Sequence, residues 1–183
     1  MMEIKITAPV FKDVLSSLKA GESVLISGVI YTARDAAHER MTRLYKDGIE
    51  YPFDIKNQII YYAGPCPAKP GEVIGSCGPT TAGRMDAYTP ELLDNGLGAM
   101  IGKGVRSKEV IDAIKRNKCV YFGAIGGAGA LIAECIKKAE VVAYDDLGTE
   151  AIRKLYVEDF PAVVLVDSDG NDLYEIGQIK YRG

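Results

Sequence analysis

Short apolar runs alternate with amphipathic segments along the chain, and glycine stands at many of the points where one gives way to the next. The run at residues 23–32 (SVLISGVIYT) is rich in β-branched residues, which is typical of a buried strand. Residues 33–48 follow with apolar side chains at helical spacing and end on a glycine. This alternation predicts a domain of mixed α/β class with glycine-rich turns where strands meet helices.

The same reading places the other elements. Further strands are expected at residues 58–64, 72–77, 119–127 and 140–144, and a pair of strands at residues 160–177, joined by the polar turn DSDGND. Helices are expected at residues 12–18, 33–48, 107–118 and 130–139, and one more begins at Thr89, with proline at the first helical position. A T-x-x-D pattern from Thr32 to Asp35 and the hydroxyl of Ser107 are the expected helix caps.

Composition limits the class of protein. The chain has 183 residues, of which 48% are hydrophobic and 26% charged, with a formal net charge of −3. This balance predicts one globular domain over residues 1–183 and argues against a nucleic-acid or membrane-surface binder. No apolar run approaches the roughly 20 residues that span a bilayer. The N-terminal stretch lacks the pattern of a signal peptide, so the expected compartment is the cytoplasm.

The four cysteines, Cys66, Cys77, Cys119 and Cys135, stand singly. There is no C-x-x-C pair and only one histidine, so the sequence predicts no metal site in this chain. A disulfide framework is not expected in a cytoplasmic protein. We therefore expect four reduced thiols, mostly buried, with Cys77 set apart because it directly precedes a polar motif.

Three junctions collect polar residues, and the first is YTARDAAH at residues 31–38. Arg34 falls at the start of a helix, where free N–H groups and the helix dipole favour an anion, and its guanidinium offers a two-point grip on a carboxylate. The alternative is that Arg34 and Asp35 are solvated first-turn residues. His38 lies one turn later on the same face, and a lone histidine is more often structural than catalytic.

The second junction is GPTTAGRMD at residues 78–86. Gly78 and Pro79 turn the chain, and Thr80 or Thr81 can cap a short helix. Arg84 follows one turn later, so a hydroxyl, free N–H donors and a guanidinium surround one small volume. The motif is typical of an anion pocket, although the spacing of a Walker loop is absent. Plain capping beside a surface arginine is the alternative, but it leaves the doubled threonine unexplained.

The third junction is GKGVR, where Lys103 stands between two glycines. That arrangement suits a lysine aimed at a ligand and equally suits an exposed turn. The nearby cluster GAIGGAGA fails the dinucleotide-binding spacing, so close packing of a strand on a helix is expected there. The turn DSDGND lacks the glutamate of a calcium loop.

Taken in order, SGVIYTARDAAHERM, GPTTAGRMD, GKG and DFPAVVLVDSDGND resemble the β subunit of the class I fumarate hydratase and L-tartrate dehydratase family of iron–sulfur hydro-lyases. The resemblance spans almost the whole chain. It implies a three-layer swivelling β/β/α domain and reversible addition of water to a dicarboxylate double bond. It also implies a 4Fe–4S cluster whose ligands lie in the other catalytic half, which is either a separate α subunit or an N-terminal domain. A separate α subunit is expected here, with no cluster held by this chain. An α2β2 heteromer is expected, with a homodimer as the alternative for the isolated chain.

The resemblance also implies residue roles. Thr80 is the expected general base, and Arg84, Arg34 and Lys103 form the expected clamp on the substrate carboxylates. Thr81 is an alternative to Thr80, because either hydroxyl can face the site. Three further residues are expected to orient these groups: Asp35, His38 and Asp86. Fumarate and malate are the favoured substrates, with tartrate or a non-catalytic anion-binding module as alternatives.

Overall fold

The computed structural model describes residues 2–124 and 129–181. The strands in this part are β1 (Ile4–Ala8), β2 (Ser23–Thr32), β3 (Ile59–Tyr61), β4 (Ala99–Gly102), β5 (Val120–Ala124), β6 (Ile136–Ala143) and β7 (Ile152–Val166). The α-helices are α1 (Lys12–Ser17), α2 (Asp35–Lys46), α3 (Thr89–Asp94), α4 (Lys108–Asn117), α5 (Gly129–Cys135) and α6 (Leu173–Tyr181). Two 3-10 helices cover Ala82–Met85 and Asp145–Glu150.

The strands form one sheet that closes on itself. The strand order is β1-β2-β3-β4-β5-β7-β6, and β2 also pairs with β7, so β2, β3, β4, β5 and β7 make a ring. Strands β2 to β5 run parallel. Strand β7 runs antiparallel to β2 and β5 and closes the ring. Because the carboxyl ends of parallel strands meet at one edge, the turns that follow β2, β3 and β4 lie together.

Alternating side chains divide the apolar residues into two cores. Along β3, Tyr61 belongs to one buried cluster, whereas Ile60 and the following Tyr62 belong to the other. The first cluster lies inside the ring and is filled from every strand of the ring, with Phe122 and Phe160 among its largest members. Inward and outward positions alternate because successive side chains of a strand point to opposite faces.

The second core lies between the ring and the helices α2, α3 and α4. These helices contribute the following buried side chains: Ala37, Met41, Leu92, Leu93, Val110, Ala113 and Ile114. They pack against outward-facing residues of the strands, including Tyr31, Met100 and Tyr121. The predicted mixed α/β class is confirmed, and the sheet dominates both cores.

Most of the expected elements are present, and Ser107 caps α4 as predicted by accepting a hydrogen bond from the Val110 N–H at 3.4 Å. The prediction that Thr32 caps α2 is wrong. Its hydroxyl is buried at the end of β2 and accepts a hydrogen bond from the Arg153 N–H at 3.2 Å, and Arg34 occupies the N-cap position. The Thr32 hydroxyl is therefore hydrogen-bonded to the backbone of neighbouring β7 and is not available to cap the helix.

Two predicted strands are absent from the described residues. Residues 72–77 form an irregular segment that folds back on Cys66, whose carbonyl accepts from the Gly75 N–H at 3.2 Å. This segment finds no free edge beside β3, since β2 and β4 already occupy both sides. The predicted DSDGND turn is present, but a helix, α6, follows it instead of a strand. Asp172 begins this helix by accepting from the Tyr174 N–H at 2.8 Å, which is the work of an N-cap.

Part of the predicted strand 119–127 and of the glycine cluster GAIGGAGA, residues 125–128, lies outside the described residues. The two ends of the cluster are closely packed, but the contacts are with neighbouring β7 and with an irregular segment, and not of a strand on a helix as predicted. A Cβ on Gly123 would stand 2.6 Å from a Leu165 methyl carbon, and one on Gly129 would stand 2.5 Å from the Ser76 hydroxyl. Among the described helices, none has both the length and the apolar character that crossing a membrane requires.

Candidate active site

The three polar junctions meet at the carboxyl edge of the parallel strands. Arg34 follows β2 by two residues, and Lys103 directly follows β4. The Thr80 N–H donates to the carbonyl of Tyr62, the residue after β3, at 2.7 Å. The fold therefore brings together segments that are up to about seventy residues apart in the sequence.

Asp35 links the two arginines of the first and second junctions. The Arg84 Nε–H donates to Asp35 Oδ1 at 2.8 Å, and Arg34 Nε lies 3.6 Å from Asp35 Oδ2. The Arg84 side chain is 53% exposed and the Arg34 side chain 26%, so both guanidinium groups reach the surface of this edge. Asp35 thus holds the two arginines side by side, and its part in orienting them towards a substrate stays a prediction.

Arg34 has a second carboxylate neighbour that the sequence did not reveal. Glu150, at the end of the 3-10 helix before β7, places Oε1 3.4 Å from Arg34 Nε and 3.4 Å from the Ala36 N–H. The guanidinium lies across Gly64, where an added Cβ would stand 2.9 Å from Arg34 Cδ and Nη1. Nothing in the local sequence marks Glu150, because its partner is more than one hundred residues away.

Arg34 keeps unused hydrogen-bonding capacity. Within the described residues, Arg34 Nε and Asp35 Oδ2 are buried atoms without a hydrogen-bond partner, although they form the ion pairs given above. Buried polar atoms in proteins are normally satisfied. The buried Nε is held between the carboxylates of Asp35 and Glu150. The Nη groups are the donors that remain for an incoming anion.

The threonine pair lies beside the lysine. Thr81 and Lys103 form a parallel bridge, and the Ala82 N–H donates to the Lys103 carbonyl at 2.9 Å. Thr80 is half-buried, whereas Thr81 and Lys103 are exposed. Thr81 stands at the N-cap position of the 3-10 helix, yet its side chain makes no cap hydrogen bond. Both threonines thus occupy the expected place without performing the capping that was the simpler explanation.

His38 is a structural residue in this fold. It is fully buried on α2, and its Nδ1 lies 2.9 Å from the Arg34 carbonyl. A carbonyl only accepts, so Nδ1 carries the proton of the neutral ring and Nε2 carries the lone pair. Burial lowers the pKa of His38 to about 4, so the ring is neutral at physiological pH. It supports the residue that begins α2 and does not reach the surface where Arg34 and Arg84 meet.

Asp86 pairs with Arg106 and not with Arg34, Arg84 or Lys103. Its Oδ1 accepts from Arg106 Nε at 2.7 Å, and its Oδ2 accepts from the Ser107 N–H at 2.7 Å. Arg106 is buried and also donates from Nη2 to the Thr89 hydroxyl at 2.8 Å. Analysis of the sequence did not single out Arg106, because an arginine two residues after a GKG turn is most simply read as exposed.

The cysteines do not fit an iron–sulfur cluster. Cys77 and Cys119 are buried, Cys66 is exposed and Cys135 is intermediate, and all four are free thiols. Burial raises the pKa of both Cys77 and Cys119 to about 12, whereas a cluster requires thiolates. In the described part of the chain, no three histidine, cysteine or acidic side chains are grouped as metal ligands.

The sequence has clear relatives. The sequence profile described as "Fumarase C-terminus" matches residues 1–177. The chain is 46% identical over 164 residues to "Fumarate hydratase class I, anaerobic" of Escherichia coli strain K12, covering 88% of this chain and 30% of that protein. It is 44% identical over 163 residues to "Fumarate hydratase 2" of Leishmania major, covering 87% of this chain and 28% of that protein.

A further relative is matched over most of its own length. A Methanocaldococcus jannaschii protein provisionally named L(+)-tartrate dehydratase subunit beta is 40% identical over 170 residues, covering 90% of this chain and 87% of the relative. The chain thus spans under a third of the fumarate hydratases described above and most of this archaeal protein. The resemblance inferred from the four motifs is confirmed: the chain belongs to the Fumarase C-terminus family, whose members here include class I fumarate hydratases and a tartrate dehydratase beta subunit.

Proposed function

We infer that this chain is the β subunit of an iron–sulfur-dependent hydro-lyase that interconverts fumarate and L-malate. The observation that carries this proposal is the convergence of Arg34, Arg84, Lys103 and Thr80 on one edge of the sheet. Three cations there stand against the two carboxylates of Asp35 and Glu150, so the edge has a net positive charge that suits a dicarboxylate.

The arginines are the proposed carboxylate grip. In the described part of the chain, the only hydrogen bond of the Arg84 side chain is the one from Nε to Asp35. The two Nη groups are therefore free to form a forked pair of hydrogen bonds with one substrate carboxylate. Arg34 and the exposed Lys103 supply further positive charge for the second carboxylate. Asp35 sets the directions of both guanidinium groups, because it pairs with each of them.

Thr80 is the proposed general base. Dehydration of malate removes a proton from the carbon next to a carboxylate, and the Thr80 hydroxyl oxygen would accept that proton. A free threonine hydroxyl is a weak base, so its alkoxide needs stabilisation by neighbouring positive charge. Lys103 is paired through its backbone with the residue after Thr80, which supports a role for this lysine in that stabilisation.

The iron–sulfur cluster is assigned to a partner chain, since the cysteines described above do not provide its ligands. When bound there, the cluster supplies the Lewis acid that activates the substrate hydroxyl. The proposed assembly is an α2β2 heteromer in the cytoplasm. The tartrate dehydratase relative supports an α-type partner, because its name designates it as a subunit beta. The two cores, one inside the ring and one under the helices, support assignment to the swivelling β/β/α class.

Tartrate dehydration is the second candidate, favoured by the name of the same relative. Tartrate differs from malate by one more hydroxyl on the central carbons, and the described residues of this edge include no feature that selects between them. To test this, the chain is combined with an α-type partner, and kcat/KM of the assembly is measured with fumarate, L-malate and both tartrate isomers. The proposal expects the highest kcat/KM on fumarate or malate, and a clear preference for a tartrate isomer would replace it with the alternative.

A further inference from the structure

The charged side chain of Arg106 is fully enclosed. Its side chain has 0% exposure, and the guanidinium carbon lies 5.2 Å from the centre of the Tyr62 ring and 4.8 Å from that of Tyr121. Nε donates to Asp86, and Nη2 donates to the Thr89 hydroxyl and to the Tyr62 hydroxyl at 3.2 Å. A buried charge destabilises a fold unless it is paired in this way, so its retention calls for a reason.

The partners of Arg106 come from the segments that carry the proposed site. Asp86 stands two residues after Arg84 and closes the turn that contains the threonine pair. The carbonyl of Tyr62 holds the Thr80 N–H at 2.7 Å. Tyr121, the second ring against the guanidinium, donates from its hydroxyl to the Gly104 carbonyl at 3.0 Å.

Arg106 also belongs to the loop that presents the lysine. Lys103 lies three residues before it, and the Ser107 N–H directly after it is fixed by Asp86. The Ala82 N–H closes the contact by donating to the Lys103 carbonyl. The guanidinium therefore ties the lysine loop to the threonine turn from beneath, at a place that substrate does not reach.

We propose that Arg106 is a positioning residue that fixes the distance between Thr80 and Lys103. This inference rests on the proposed function of that site. Without the guanidinium, two hydrogen bonds still join the loop to the turn, from the Ala82 N–H to the Lys103 carbonyl and from the Ser107 N–H to Asp86. The second depends on a carboxylate that has lost its charged partner, so the two functional groups move relative to each other. A displacement of about 1 Å at a reacting centre costs on the order of 100-fold in rate.

The variants separate positioning from general stability. Arg106→Met removes the charge and all its hydrogen bonds at similar length, whereas Arg106→Lys keeps the charge but cannot reach all three acceptors. Arg116→Met is the control, because Arg116 makes a bidentate pair with Asp94 at 2.8 Å on the exposed end of α4. Tyr121→Phe removes only the hydroxyl that holds Gly104, and it serves if Arg106→Met does not fold.

Two measurements are made. In the isolated chain, amide hydrogen exchange of Thr80 and Ala82 should accelerate about tenfold or more in Arg106→Met, and to a lesser degree in Tyr121→Phe, while the inner strands stay protected. In the assembled enzyme, Arg106→Met should lower kcat/KM by about 100-fold, and Arg106→Lys should restore only part of it. Arg116→Met should change neither quantity.

Amide exchange tests the positioning role of Arg106, and the activity of the wild-type assembly tests the proposed function, so each can be refuted without the other. The positioning role is overturned if exchange at Thr80 and Ala82 is unchanged in both Arg106→Met and Tyr121→Phe, if all amides accelerate equally, or if Arg106→Lys is fully active. If the wild-type assembly has no hydro-lyase activity, the proposed function fails, and the exchange data alone still decide whether Arg106 holds the loop to the turn.

Discussion

The single histidine of the chain should make the stability of the fold depend on pH in a way that can be calculated. Burial lowers the pKa of His38 from an ordinary value of 6.5 to about 4. Below pH 6.5 the unfolded chain binds a proton at this ring, and the folded chain does not. Folding stability from this group is therefore fully present above pH 6.5, falls as the pH decreases, and is exhausted below about pH 4.

The size of the effect follows from the difference in pKa. Each pH unit between the two pKa values corresponds to about 1.4 kcal/mol, so the whole window amounts to about 3 kcal/mol. Integrating between pH 7 and pH 5 gives a loss of about 2 kcal/mol. Carboxylates also titrate in this range, but a variant that lacks only the imidazole retains their contribution and serves as the reference.

His38→Asn is that reference, because its side-chain amide can still donate to the Arg34 carbonyl near the position of Nδ1. At pH 7 the variant should be less stable by about 1–2 kcal/mol, since it leaves unfilled volume on α2. At pH 5 that difference should have vanished. Urea unfolding at pH 7, 6 and 5 measures it, and the NMR titration of the only imidazole gives its pKa directly. Parallel loss of stability in both proteins, or an imidazole that titrates near 6.5, would refute the reasoning.

Three further substitutions test particular positions. Thr80→Ala in the assembled enzyme should lower kcat by about 10²- to 10⁴-fold with little change in KM, and Thr81→Ala should do less; the reverse order would mean that the second hydroxyl is the base. Gly64→Ala should displace the arginine that lies 2.9 Å from the added Cβ, so KM should rise about tenfold while the melting temperature changes little. Gly28→Ala should destabilise the fold by at least about 2 kcal/mol in thermal unfolding, because its φ is 110° and the added Cβ would collide with the Ala8 carbonyl oxygen. Gly177→Ala is the control for both glycines, since nothing lies within 4 Å of its added Cβ.

The sequence predicted those parts of the fold that local chemistry decides. The strand β2 and the start of α4 could be predicted, because the β-branched run and the capping serine that indicate them lie within a few residues. Residues 72–77 carry an equally good strand signal, yet the places beside β3 are already taken by other strands. Residues 173–177 are short and apolar enough to suit either a strand or a helix, and the cap from Asp172 decides for the helix.

In the candidate site, too, residues marked by a local motif could be predicted, and residues that depend on distant partners could not. The motif residues Arg34, Thr80, Arg84 and Lys103 were chosen from the sequence, and the fold places them along one edge. Glu150 and Arg106 were not foreseen as members of the site. Each acts through partners that only the closed ring brings near, so no local pattern marks them.

The most direct test of the central claim is a titration of an α-type partner with this chain, following hydration of fumarate. We expect no activity for this chain alone, and activity that saturates at about one chain per partner chain. Arg84→Met should bind the partner at the same ratio. Its kcat/KM should fall by the factor that corresponds to losing a few kcal/mol of transition-state stabilisation. Arg43→Met, an exposed arginine on α2, is the matched control and should behave as wild type. Activity of this chain alone, or full activity of the assembly with Arg84→Met, would contradict the claim that this edge is the carboxylate-binding half of the active site.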